Sequence, residues 1–187
     1  MIKKIVSLSS VLMICFFILS SFGGEQNRYN TLAWSKMQKI QWKDFTAKTP
    51  KNSKYHATTT TKLSYDLKYD QRKNQPIIEV KCLFIKDESW VKENPTDELL
   101  KHERVHFDIA EIASRKIRLA IKKERVLESE NFEEKIEKIY KRESNALEKM
   151  QKDYDHDTEH SLNAKKQAYW NDKVSKLLKK LAKYASK

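Results

Sequence analysis

Two histidines four positions apart are the residues of this sequence with the clearest chemical potential. They begin and end the stretch HERVH, residues 102–106. On a helix, side chains at this spacing share one face, so the imidazoles of His102 and His106 can bind one metal ion. Glu103 lies about 100° around the same turn, where its carboxylate can deprotonate a water molecule without binding the metal. This division of roles predicts a catalytic zinc site with Glu103 as the general base.

The HExxH pattern is uncommon by chance, and the residues around it favour a helix. With five histidines in 187 residues, an HExxH pattern should arise by chance in roughly one such chain in a hundred. Asn94 can cap a helix and Pro95 suits its first position. No proline or glycine follows before residue 131, so we expect one long helix over Thr96–Asn131.

The residue pattern alone leaves the third protein ligand open. Glu111 lies near 180° from His102 on an unbroken helix and so points away from the predicted metal. His56 lies on the polar face of a predicted strand, and His156 and His160 lie in a polar segment between predicted helices. Carboxylates are further candidates. The polar segment is favoured, because its backbone can approach a helix face, but the pattern does not choose between its two histidines.

The first 23 residues have the composition of a secretory signal peptide. Lys3 and Lys4 precede an uncharged apolar run, and small residues stand at the −3 and −1 positions of a cleavage site after Gly23. We therefore expect an exported protein, periplasmic or extracellular, with a single mature domain over residues 24–187. The alternative is an uncleaved membrane anchor, since the run approaches the length that spans a bilayer.

Composition excludes several classes of protein. After cleavage Cys82 would be the only cysteine, so no internal disulfide could form. The scarcity of glycine excludes a nucleotide-binding loop. Loss of Lys3 and Lys4 would lower the formal charge from +12 to +10, which suits an anionic envelope surface. We expect no nucleic-acid partner, because no recognition motif accompanies the charge.

Alternation of apolar and polar residues predicts an antiparallel sheet over about residues 40–92. We expect a short strand at Ile40–Phe45 and a long hairpin with one buried face. Its strands are Tyr55–Tyr69 and the stretch IIEVKCLFIK, residues 77–86, joined by a turn over Asp70–Pro76. The inward side chains of the second strand should be Ile78, Val80, Cys82 and Phe84.

Helical periodicity replaces this alternation over about residues 95–187. A second helix is expected over Phe132–Met150, and the polar stretch DYDHDTEHSLN, residues 153–163, should interrupt the helices. A last helix then follows. The predicted fold class is α+β, with an N-terminal antiparallel sheet followed by a helical part that carries the HExxH helix, as in zincins.

The last predicted helix combines a basic surface with an apolar stripe. The lysines are Lys173, Lys176, Lys179, Lys180, Lys183 and Lys187, and the stripe is Val174, Leu177, Leu178 and Leu181. Such a helix can lie on an anionic envelope surface. The alternative is that the stripe packs on the domain and the lysines are merely solvated.

Several motifs in one order carry a resemblance to a known family. They are WKDF at residues 42–45, HATTTTKLSYDLKY at 56–69, SWVK at 89–92, LLKHERVHFDIAE at 99–111, YDHDTEH at 154–160 and QAYW at 167–170. Together they resemble a bacterial family of predicted secreted zinc-dependent proteases, an HExxH metallopeptidase-like domain of unknown function. The resemblance spans the chain from about Trp42 to Trp170.

The resemblance implies that zinc is held by His102, His106 and His160. His160 matches a recurrent histidine of the family, whereas His156 falls at a variable position. The family usually has glycine after this histidine, where the present chain has Ser161.

Four further residues match family positions without an implied ligand role. Glu111 would contact the ligands or bond to another helix. Asp155 and Thr158 would orient His160, since a ligating histidine usually donates its other N–H to an oxygen. Tyr154 would either donate to an oxyanion or pack between helices.

Two functions are consistent with these predictions. The first is a secreted or periplasmic zinc-dependent metallohydrolase, a peptidase acting on peptides or proteins with Glu103 as general base. The alternative is a cell-envelope binding or scaffold protein with a structural or vestigial zinc site. Glu103 favours catalysis, because a structural site usually closes with four protein ligands and needs no base.

Overall fold

The structure is a computed structural model of the chain, and it describes residues 30–186. The predicted signal peptide lies outside these residues. Within residues 30–186, no helix is both long and apolar enough to cross a bilayer. The fold is α+β, with antiparallel strands followed by three α-helices, as predicted.

The elements follow one another in a simple order. The strands are β1 (Thr31–Ala33), β2 (Ala57–Thr58), β3 (Thr61–Asp70), β4 (Gln75–Ile85) and β5 (Trp90–Val91). The α-helices are α1 (Asp97–Lys123), α2 (Phe132–Thr158) and α3 (Ala164–Lys180). Short 3-10 helices lie at Trp42–Asp44, Lys86–Glu88, Val126–Glu128 and Ala182–Tyr184.

The predicted hairpin is confirmed as the antiparallel pair β3–β4. Leu63 pairs with Cys82, which sets a register that turns alternate side chains to one face. Val80, Cys82 and Phe84 are buried there. β1 was not predicted; it pairs antiparallel with the other edge of β4.

The expectation of one strand over Tyr55–Tyr69 is wrong. The chain changes partner near Thr60, whose carbonyl accepts from Ile85 N and whose N–H donates to Ser89 Oγ. The residues before this point form β2, which pairs with β5 in a separate two-stranded sheet.

The predicted strand at Ile40–Phe45 is also wrong. This segment forms a 3-10 turn, because the Asp44 carboxylate accepts from Gln41 N at 2.9 Å. Asp44 also pairs with Lys86. Ile40 and Phe45 are nevertheless buried, so the apolar residues serve the core from a turn.

Helix α1 is shorter than predicted at both ends. Thr96 is its cap, with the side chain accepting from Leu99 N, and Asn94 lies before it with a left-handed backbone. The helix ends at Lys123, and Arg125 adopts a left-handed conformation that breaks the predicted continuation to Asn131.

Helix α2 is longer than predicted, and this changes the site. It continues through Thr158, so the first half of the polar stretch 153–163 is helical. Gln151, Tyr154 and Thr158 are buried at helical spacing, which keeps this face packed on α1. Only residues 159–163 connect α2 to α3.

Helix α1 lies between two parts of the core. On one side it packs on the sheet, where Phe107 contacts Phe84. On the other side it packs on α2 and α3, around Ile109, Tyr154 and Trp170. The apolar stripe of α3 packs in this second part, with Val174 and Leu181 buried. The HExxH residues are therefore held by a helix covered on both sides.

Candidate metal centre

Helices α1 and α2 bring three ligand atoms to one point. The metal cluster, defined as His102, His106 and Asp155, has all its ligand atoms within 4.8 Å of one another. Asp155 Oδ1 lies 3.2 Å from His102 Nε2 and 2.9 Å from His106 Nε2. The two Nε2 atoms are 3.1 Å apart. Both histidines are buried, while Asp155 is partly exposed.

These distances fit a shared ion. Zinc–ligand bonds of about 2.0–2.2 Å place the vertices of a tetrahedron about 3.3–3.6 Å apart. The three atoms of the metal cluster stand 2.9–3.2 Å apart, slightly closer than that. Two imidazoles and a carboxylate are also a donor set that suits zinc, as in catalytic sites with two histidines and one carboxylate. The metal cluster can hold a metal ion.

The far nitrogens of both imidazoles face glutamine oxygens. His102 Nδ1 lies 3.0 Å from Gln167 Oε1, and His106 Nδ1 lies 2.6 Å from Gln151 Oε1. An amide oxygen only accepts hydrogen bonds, so each Nδ1 carries the proton. In the neutral imidazoles both Nε2 lone pairs therefore point toward Asp155.

The two Nε2 atoms and Asp155 Oδ1 are all hydrogen-bond acceptors when the imidazoles are neutral. Because they lie close together, a positive charge is required among them. Burial lowers the pKa of His106, but the hydrogen bond and charge of Asp155 outweigh it and raise this pKa to about 9. Burial raises the pKa of Asp155, but hydrogen bonds from His102 and His106 hold it well below the usual range. The metal-free centre thus favours a proton at the point where an ion would bind.

Glu103 adds a second buried carboxylate beside the metal cluster. Its side chain is buried, and its Oε2 has no hydrogen-bond partner among residues 30–186. Its charge contributes to the raised pKa of His106, so it lies within electrostatic reach of the centre. A buried carboxylate oxygen without a donor is costly. A water molecule at the metal centre would supply that donor, which fits a general base.

His160 lies at the exposed edge of the centre. Its Nδ1 is 3.5 Å from Asp155 Oδ1, and its ring packs at 4.8 Å on Tyr55. Its side chain is 49% exposed. His160 lies within three consecutive left-handed residues, Glu159, His160 and Ser161. The structure therefore brings His160 close to the carboxylate but not into the compact group formed by His102, His106 and Asp155.

Tyr154 supports His102 from within the helix interface. Its ring stacks on the His102 ring at 4.6 Å, and its hydroxyl donates to the His102 carbonyl oxygen at 3.2 Å. Burial raises the pKa of Tyr154, so the hydroxyl keeps its proton. In this arrangement the hydroxyl bonds to the backbone of α1, which matches the packing alternative for this residue.

Among the described residues, neither Thr158 nor His156 bonds to the ligand atoms of the metal cluster, and of Asp155 the Thr158 hydroxyl reaches only the backbone carbonyl oxygen, at 3.5 Å. The Thr158 hydroxyl donates to the Tyr154 carbonyl oxygen at 2.7 Å, one turn back along α2. The His156 side chain is 91% exposed and faces Asp157. His56, the other candidate from the sequence, is exposed as well.

Glu111 belongs to a different buried group on α1. It forms the arginine cluster with Arg115 and Arg118, through Nε–Oε1 and Nη1–Oε1 distances of 2.8 and 3.2 Å. Arg115 Nη1 also donates to the Leu178 carbonyl oxygen on α3. Glu111 thus links α1 to the C-terminal region and is paired with cations of its own helix.

The sequence analysis missed the two glutamines. Gln151 stands four residues before Asp155, so both share one face of a helix. That spacing was a usable signal only once α2 was known to continue past residue 150. Gln167 comes from α3, and its approach to His102 depends on how α3 folds back.

A comparison with known families finds a match over part of the chain. Residues 87–161 match the model of a family described as "Bacterial protein of unknown function (DUF922)". The matched segment includes α1, α2 and the turn with His160, and so the entire metal cluster. No curated protein and no solved structure matches the chain. The match agrees with a bacterial family resemblance and carries no statement about zinc or proteolysis.

Proposed function

We propose that this protein is a zinc-dependent hydrolase that cleaves peptide bonds. The observation that carries the proposal is the buried Glu103 carboxylate, whose Oε2 has no hydrogen-bond partner among residues 30–186, beside two histidines and an aspartate arranged for one ion. A purely structural site needs no such base and usually closes with a fourth protein ligand. In keeping with the N-terminal sequence, the proposed place of action is outside the cytoplasm.

The proposed ligands are His102, His106 and Asp155. Asp155 lies within 3.2 Å of both Nε2 atoms, which makes it the stronger third ligand on geometry. The sequence resemblance instead implies His160, which lies near the same carboxylate oxygen. If Asp155 is the third ligand, its replacement should remove the metal. If His160 is the third ligand, replacement of His160 should do so.

The ion and the protein would supply different parts of the hydrolysis. When bound, zinc supplies Lewis acidity that polarises a carbonyl group and makes water more acidic. Glu103 accepts the proton of the attacking water and returns it to the leaving amine. Burial of Glu103 keeps its carboxylate out of bulk water, which strengthens its interaction with that proton.

A peptide substrate is favoured by a backbone edge beside the centre. The bond from Lys92 N to His56 O shows that residues 56 and 58 face β5. Because antiparallel pairing alternates, the backbone groups of Ala57 and Thr59 point away from β5. No backbone partner for these groups occurs among the described residues, and both residues are largely buried, each with 8% of its surface exposed.

This edge lies over the HExxH turn. The Thr59 hydroxyl is 3.4 Å from the Glu103 carbonyl oxygen, and Tyr55 packs on His160. An extended peptide that adds to this edge by backbone hydrogen bonds would pass across the metal cluster. The substrate class proposed is therefore an extended peptide or an unfolded segment of a protein.

The test is Glu103→Gln in the exported domain loaded with zinc. We expect zinc content to be unchanged and cleavage of an unstructured protein such as casein to fall about 100- to 10,000-fold, since a general base is lost. The matched control is Glu98→Gln, an exposed glutamate on the same helix, which should cleave like the wild type. Retention of cleavage in Glu103→Gln would refute the assigned role.

A further inference from the structure

We propose that Gln151 and Gln167 are positioning residues that fix His102 and His106 in the tautomer whose Nε2 atoms bind the metal. This inference rests on the proposed metal centre. It concerns how the chain prepares the ligands before an ion arrives. A histidine offers two nitrogens, and only a fixed tautomer and ring orientation aims both Nε2 lone pairs at one point.

Gln151 holds His106 through a closed ring of hydrogen bonds. Its Oε1 accepts from His106 Nδ1 at 2.6 Å, and its Nε2 donates to the carbonyl oxygen of the same histidine at 2.9 Å. A carbonyl oxygen cannot donate, so the amide nitrogen must face it. The amide therefore cannot flip without losing a bond, and Gln151 is buried where water cannot replace it.

Gln167 holds His102 through a similar ring that includes Tyr154. Gln167 Oε1 accepts from His102 Nδ1, and Gln167 Nε2 donates to the Tyr154 hydroxyl oxygen at 2.7 Å. The Tyr154 hydroxyl in turn donates to the His102 carbonyl oxygen. Because the hydroxyl proton is committed there, the amide nitrogen must be the donor. This ring also fixes the orientation of the amide.

The two rings share one design on different elements. Each starts at the Nδ1 of a histidine and returns to the backbone carbonyl of that same residue, so ring orientation and tautomer are set together. Gln151 comes from α2 and Gln167 from α3. Docking of both helices on α1 is therefore required before the two Nε2 atoms point at Asp155.

Neutral amides, not carboxylates, bond to the Nδ1 atoms, and this limits the negative charge at the site. Asp155 and Glu103 already place two carboxylates at the centre. A carboxylate behind each imidazole would bury further negative charge and make the histidines stronger donors, which lowers the acidity of the ion. Neutral glutamines orient the rings without this effect.

The test replaces each glutamine with methionine, which has similar length and no amide. Zinc affinity is measured by competition with a chromophoric chelator for Gln151→Met, Gln167→Met and the wild type. We expect affinity to fall about 10- to 100-fold in each variant. Gln71→Met, in the exposed hairpin turn, is the matched control and should bind like the wild type.

A second measurement needs no variant. In the zinc-loaded wild type labelled with 15N at its imidazoles, NMR should show the proton of two buried histidines on Nδ1. Protons on Nε2 would overturn the inference even if the methionine variants failed to fold.

The outcomes separate this inference from the proposed function. Folded variants that bind zinc within about twofold of the wild type would overturn the role of the glutamines and leave the metal centre standing. A wild type that takes up no zinc would overturn both. Weaker zinc binding in both variants with Nδ1 protonation would support the inference whether or not peptide cleavage is found.

Discussion

Helix α1 carries two buried polar groups that differ in one respect. The arginine cluster contains a carboxylate, Glu111, and two cations of the chain. The metal cluster and neighbouring Glu103 contain two carboxylates and two imidazoles whose lone pairs converge. Both groups are largely removed from water, yet only the arginine cluster contains permanently charged cations, whereas the metal cluster is positive only when His106 takes up a proton.

The paired charges of the arginine cluster indicate a structural role. Glu111 Oε1 bonds to both guanidinium groups, while its Oε2 has no hydrogen-bond partner among residues 30–186. The guanidinium groups go on to backbone carbonyls, from Arg115 to Leu178 and from Arg118 to Val80 and Tyr184. These bonds tie α1 to the sheet and to the C-terminal region. A buried charge without such partners is expensive. Among the described residues no arginine or lysine pairs with the carboxylates of the metal cluster or Glu103, which is expected if the cation comes from solution.

The largest effect should come from removing the carboxylate of the arginine cluster. Glu111→Ala leaves two largely buried guanidinium groups without a counter-charge, so we expect the free energy of unfolding to fall by about 3–5 kcal/mol. Chemical denaturation of the metal-free protein measures it. Zinc binding by any folded fraction should persist.

The control for this prediction is an exposed pair of the same spacing. Glu134 and Lys138 form an (i, i+4) ion pair on α2 with both side chains in solvent. Glu134→Ala should leave the free energy of unfolding nearly unchanged, because water screens the charges of an exposed pair. Equal losses in Glu111→Ala and Glu134→Ala would mean that burial does not distinguish the arginine cluster.

The next effect comes from supplying the cation that the metal cluster lacks. Free zinc at a hundredfold excess over its dissociation constant should raise the free energy of unfolding by about 2.7 kcal/mol, because it binds the folded chain. Asp155→Asn should abolish most of this increment, whereas His160→Ala should keep it. Denaturation with and without zinc measures both.

The reverse result has a definite meaning. Loss of the zinc increment in His160→Ala with retention in Asp155→Asn would make His160 the third ligand, as the sequence resemblance implies. His156→Ala is the control, because its side chain is exposed at the same end of α2.

Local patterns predicted the parts of the fold that depend on short-range geometry. The spacing in HERVH placed His102 and His106 on one helix face, and alternation located the β3–β4 hairpin. The errors arose where contacts with residues far away in the sequence determine the local structure. The change of partner at Thr60 depends on Ser89, which is 29 positions away. No local pattern contains that bond.

The contrast between local patterns and contacts of distant residues also explains which site residues the sequence analysis identified. Asp155 was expected to orient His160 on the basis of the family resemblance, and the polar stretch 153–163 was expected to interrupt the helices. Leu147, Gln151, Tyr154 and Thr158 carry a helical spacing through that stretch, but polar residues hide it from a test of hydrophobic periodicity. The burial of Gln151 and Tyr154 follows from their bonds to the carbonyl oxygens of His106 and His102 on α1. Such partners appear only in the folded chain.

The smallest expected effect lies in the turn that carries His160. Ser161 has φ of 81°, a left-handed conformation that costs a residue with a Cβ atom and favours glycine. Ser161→Gly should therefore raise the free energy of unfolding by about 0.5–1 kcal/mol, less the greater freedom that glycine gives the unfolded chain. Ser129→Gly is the control, because Ser129 is extended with φ of −96° and should only lose stability. A loss in both variants would contradict strain at Ser161. A gain at Ser161 alone would show that strained backbone lies beside the metal cluster, in contrast to the regular helix that carries the arginine cluster.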